Sequence, residues 1–172
     1  FLSAELYFQD EEWTAAREQY ALVLEQPTHE YSEQALVRIT QALVNNEQKS
    51  DALAYWKTLE ELAQFQENKR YALFNLMQIY YEKEQFSNAI AYAEKIVVLQ
   101  SLGQKIKWDA YRVLARAAVA IQDIKKAAEA YAVLEQAPDA ALAVEALYFN
   151  AEQKHIAHEY ASSNRLIEKI AQ

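Results

Sequence analysis

Along most of the chain, large apolar side chains recur three and four residues apart, and the runs are broken at intervals by a few polar residues. That spacing puts the apolar residues on one face of an α-helix, so the pattern predicts short amphipathic helices joined by tight connections. The stretch QIYYEKEQFSNAIAYAEKI, Gln78 to Ile96, shows the unit. It reads as the end of one helix, a polar break, and a new helix opening on an aromatic residue and a small one. Near copies occur as EEWTAAREQYALVL, QKSDALAYWKTLEEL, EQFSNAIAYAEKIVVL, QDIKKAAEAYAVLEQ and HEYASSNRLIEKI. The small residues that align are Ala16, Ala52, Ala89, Ala127 and Ser163, at intervals of 36, 37, 38 and 36 residues.

A second set, Thr40, Met77, Ala115 and Ala151, lies twelve residues upstream of the last four of these, in the preceding helix. Each follows larger residues at helical spacing: Leu36 with Ile39, Leu73 with Leu76, Tyr111 with Leu114, and Leu147. A small residue where two helices cross lets their backbones approach, and larger neighbours fill the rest of the interface. One such helix pair cannot bury its own apolar face, so successive pairs are expected to stack and share a core.

This pattern resembles the tetratricopeptide repeat family, whose period of about 34 residues lies a little below the intervals here. The resemblance covers essentially the whole chain. The alanine of the second helix matches in four of five repeats. The aromatic residue four positions later matches as Tyr20, Trp56 and Tyr131, with Ala93 and Ile167 elsewhere. Repeat-ending prolines match at Pro27 and Pro138, and the family's glycine in the first helix is replaced by Thr40, Met77, Ala115 and Ala151. The resemblance implies an all-α, right-handed superhelical solenoid of antiparallel helix pairs, with about five repeats of which the first is incomplete. The repeats fall roughly at 1–27, 28–65, 66–102, 103–138 and 139–172, read as one array within a longer protein. It also looks like the long multi-repeat proteins of this family in Gram-negative bacteria. The periplasm or cell envelope is therefore the expected compartment, with the cytoplasm as the alternative. The pentatricopeptide family has a similar period but reads single-stranded RNA along a basic groove, which an acidic chain does not favour.

Composition narrows the picture. A single glycine, Gly103, and two prolines in 172 residues argue against sheets and barrels, and for helices joined by undemanding turns. Gly103 is the one point of expected backbone freedom. A net charge of −8 repels phosphate backbones, so no nucleic-acid partner is expected. The absence of cysteine removes disulfides, thiolate catalysis and Cys-based zinc sites. No apolar run approaches the roughly 20 residues that span a bilayer.

Candidate chemistry is sparse, and no enzyme activity and no cofactor are expected. A lone glycine cannot build a phosphate-binding loop or a nucleophile elbow. HIAHE places His155, His158 and Glu159 on one face if helical, but the repeat puts a turn there, so they read as exposed turn residues and no metal site is expected. His29 reads as a solvent-exposed loop residue. Tyr20, Tyr80, Tyr111 and Tyr131 fall on packing positions, with hydroxyls expected to reach solvent.

In the family, the first helix of each repeat lines a concave groove. The resemblance then assigns to that groove Phe74, Gln78 and Tyr81 in the third repeat, Arg112 and Arg116 in the fourth, and Tyr148 with Glu152 in the fifth; Gln41 and Asn45 follow in the second. Two guanidinium groups one helical turn apart can share a carboxylate, and neighbouring aromatics can hold apolar side chains. The expected function is a non-catalytic scaffold that captures a protein or peptide segment. In the competing reading the arginines only balance acids such as Asp109 or Glu145, and the chain is a passive spacer in a longer solenoid.

Overall fold

The computed structural model describes residues 1–26, 29–99 and 103–171, so the reading of Pro27 as a repeat end lies outside the described residues. Among the described residues there are ten α-helices and no strand. They are α1 (Leu2–Gln9), α2 (Trp13–Leu24), α3 (Ser32–Asn45), α4 (Ala52–Leu62), α5 (Gln66–Glu82), α6 (Phe86–Val97), α7 (Gln104–Ala120), α8 (Ile124–Leu134), α9 (Ala140–Ile156) and α10 (Tyr160–Ile170). A single 3₁₀ turn, Lys49–Asp51, leads into α4. The helices form two compact units, Phe1–Ile79 and Tyr80–Gln172, with the boundary inside α5. In the first unit α2 packs on α1 and α3, and α4 on α3; in the second, α6 through α10 pack each on the next.

Five connections within helix pairs repeat one backbone conformation. Glu11, Glu47, Glu84, Gln122 and His158 all have φ between 55° and 62°, and each lies five residues before an aligned small residue. Each turn closes with the same two main-chain bonds. The amide of the left-handed residue donates to a carbonyl three residues back, as Glu84 N to Tyr81 O at 3.0 Å. The next amide donates five residues back, as Gln85 N to Tyr80 O at 2.9 Å. This is the Schellman closure, which satisfies carbonyls the helix end would leave unpaired. It corrects the expectation of undemanding turns: positive φ is required at every pair, but glutamate, glutamine and histidine adopt it. Gly103 is extended (φ −60°, ψ 140°) at the start of α7, and a Cβ there would meet nothing within 4 Å. Replacing Glu84 by glycine should therefore raise stability by roughly 0.5–1 kcal/mol, by relieving the left-handed conformation. A higher melting temperature in thermal unfolding checks this.

The aligned residues are closed to solvent. Ala16, Ala52, Ala89 and Ala127 are wholly buried, and Ser163 nearly so. Thr40, Met77, Ala115 and Ala151 are also closed to solvent. In the last pair the crossing is seen directly, with Ser163 Oγ donating to Ala151 O at 2.9 Å. Thr40 Oγ1 reaches the Val37 carbonyl at 2.8 Å and the Tyr71 hydroxyl at 3.0 Å, so both partners keep a buried hydroxyl satisfied. In the first unit, Glu33 of α3 caps the start of α5: its carboxylate accepts the amides of Gln64 and Phe65 and the Asn68 side chain.

Two tyrosines four residues after an aligned alanine correct the expectation that packing tyrosines send their hydroxyls to solvent. Tyr20 is wholly buried and donates to Glu5 Oε1 at 2.7 Å, while Arg38 grips the same carboxylate through Nε and Nη2. Tyr131 does the same in the second unit, as the next section describes. Burial, followed by the bond to the carboxylate, raises the pKa of both phenols.

Candidate functional site

The face of α7 opposite its buried stripe (Ala110, Val113, Leu114, Ala117) presents Trp108, Arg112 and Arg116, each one helical turn from the next. With Pro138, Leu142 and Glu145 from the start of the next pair they line a cleft of about 550 Å³ in the second unit. The sequence places Arg112 and Arg116 together, and the structure does so as well. Trp108 was missed, although it precedes Arg112 by the same four residues.

Both arginines carry an acid. Arg112 Nη2 donates to Asp109 Oδ1 at 2.9 Å. Arg116 meets Glu145 fork to fork, Nε to Oε1 at 2.9 Å and Nη2 to Oε2 at 2.6 Å. The Tyr131 hydroxyl adds a third bond to Glu145 Oε1 at 2.8 Å. These donors stabilise the ionised form, so Glu145 is held below the ordinary carboxylate range, the Arg116 bond being the largest cause. Arg116 is shifted up by the same bond, and Tyr81 contributes weakly to that shift. The side chains of Arg112 and Arg116 remain 38% and 41% exposed, so both pairs are wet and each contributes little to stability.

The other sequence-assigned groove residues are distributed between the units. Phe74 and Gln78 belong to the first unit and are half-buried. In the second, Tyr81 is half-buried, with its ring edge-on to Phe86 at 5.8 Å, and Tyr148 is 61% exposed; neither lines the arginine cleft.

The histidine cluster separates. α9 continues through Ile156, so His155 sits on the last helical turn and not in the connection, where His158 takes the left-handed position. His158 Nδ1 lies 2.8 Å from the Tyr160 hydroxyl, the His155 ring stands edge-on to Tyr160, and Glu159 pairs with Lys154. Among the described residues no three of His, Asp and Glu converge as a metal would require. His29 is half-buried, not solvent-exposed, and accepts the Tyr31 amide on Nδ1. Among the described residues, no helix is long and apolar enough to cross a membrane.

Helix pairs joined by one repeated turn give an all-α helical-repeat fold like that of tetratricopeptide repeats. The chain is similar in structure to MamA, whose crystal structure superposes with a TM-score of 0.65 at 15% sequence identity, covering 98% of this chain and 92% of that one. No family model matches the sequence, and no curated protein matches it.

Proposed function

We propose that the protein is a non-catalytic scaffold that binds a peptide segment of a partner protein along the first helices of its repeats. The arginine cleft of the second unit would read the segment's carboxylates. The observation that carries this reading is the stripe Trp108, Arg112, Arg116 lining one cleft with Leu142. Arg112 commits a single nitrogen to Asp109, and the apolar surfaces of Trp108 and Leu142 lie within the same cleft. A segment with an acidic residue beside an apolar one matches that lining. Phe74 and Gln78 in the first unit, and Tyr81 and Tyr148 in the second, are proposed as further contact positions on first helices.

The spacer reading has its own support in the fork-to-fork pair of Arg116 with Glu145, which an incoming carboxylate must share or displace. One experiment separates the two. A displayed library of random peptides is selected on the purified protein, and enriched peptides are titrated against the wild type and the Arg112→Glu, Arg116→Glu variant, with thermal unfolding measured alongside. Enrichment of acidic peptides whose affinity falls about tenfold or more in the variant supports capture. Unchanged affinity with a lowered melting temperature, or no enrichment at all, favours the spacer.

A further inference from the structure

A second groove lies in the second unit between α8, α9 and α10, with a volume of about 620 Å³. Its floor is built from small and apolar side chains. Ala128 and Ala132 stand one turn apart on α8, Ala157 follows the end of α9, and Leu166 projects from α10. Ala132 and Ala157 are exposed although apolar. Along one wall Arg165 and Lys169 stand one turn apart on α10. Among the described residues of this unit, no ion pair uses either of them. Of the other charges lining the groove, Lys154 pairs with Glu159, while Glu135 accepts from the neutral Asn150 amide and keeps its charge. In a chain of net charge −8, three cations against two carboxylates along an alanine floor leave the trough locally cationic.

The walls also decide the shape of the occupant. All three are helices, whose backbone groups are spent internally, so they offer no sheet edge to an extended strand. A helix, which satisfies its own backbone, is the occupant these walls favour. The stripe from Ala128 to Glu135 is about 10 Å long, or two helical turns, and small residues there let a second helix approach closely.

We infer that the groove between α8, α9 and α10 is a docking site for an acidic amphipathic helix of a partner protein. The helix seats its apolar stripe on Ala128, Ala132 and Leu166 and sets its carboxylates against Arg165 and Lys169. This surface is independent of the arginine cleft.

The test is fluorescence anisotropy with a labelled helical peptide of about 15 residues, carrying a Leu/Ala stripe flanked by glutamates, and its twin with lysines in their place. The acidic peptide should bind and weaken as salt is added, and the lysine twin should not bind. Arg165→Glu with Lys169→Glu, and separately Ala132→Trp, should each weaken binding about tenfold or more. Arg112→Glu with Arg116→Glu should leave it unchanged. Ala132 is exposed, so its variant fills the groove without disturbing the core even if the charge variant proves unstable. Equal binding of the two peptides, or wild-type affinity in both groove variants, overturns the inference. So does self-association of the wild type in sedimentation that Ala132→Trp abolishes, which would assign the groove to a second copy of the chain.

Discussion

Replacing Trp56 by alanine is expected to destabilise the protein by about 3–5 kcal/mol. The indole is wholly buried on the face of α4 that also carries Ala52 and Leu59, where α4 packs on α3. Deleting it removes the largest fully buried side chain of the described residues and leaves a cavity that helices fixed at their turns close only in part. Chemical denaturation should show the midpoint falling with the slope nearly unchanged. A conservative partner sharpens the test. Trp56 Nε1 has no hydrogen-bond partner among the described residues, whereas the tyrosines at the matching place in two other repeats donate to carboxylates. Trp56→Phe sheds that unpaired donor while keeping most of the apolar volume, so its loss should be much smaller than that of the alanine variant. Equal losses in the two variants would mean that the indole nitrogen is stabilised in a way its surroundings do not account for.

Ala127→Leu should cost about 1–3 kcal/mol. Ala127 on α8 and Ala115 on α7 are both fully buried where these helices pack, and a leucine has no room unless the pair separates. Serine is the natural control. Ser163 holds the matching place in the last pair and spends its hydroxyl on the Ala151 carbonyl across the crossing. Ala127→Ser should therefore lose well under 1 kcal/mol, its hydroxyl being expected to bond as Ser163 does. Thermal unfolding of the two variants beside wild type gives the comparison, and a leucine variant that melts with wild type would show the register of the repeat to be misplaced.

The helix-pair architecture was legible because its signal is periodic: Ala16, Ala52, Ala89, Ala127 and Ser163 recur at near-constant intervals in a single sequence. The adjacency of Arg112 and Arg116 was legible for the same reason, since four residues is one helical turn. What could not be read was the commitment of each side chain. Asp109 and Glu145 were visible as possible partners, but the choice between them depends on how α7 meets α9, and Glu145 lies 29 residues beyond Arg116. The turns escaped for a different reason. Glycine is the usual marker of positive φ, and here none of the five left-handed residues is a glycine. The groove of α8, α9 and α10 gave no signal either, because alanines on a helix read equally well as buried or bare.

The five left-handed turns bear on how such a chain can change over time. Each is closed by amides and carbonyls, which every residue except proline supplies in full, and the crossing beside it asks only for a small side chain. The angle between paired helices is thus held by parts that substitution does not remove, and most other positions can drift while the architecture persists. Such requirements are compatible with a fold that superposes on MamA over 98% of this chain at 15% identity.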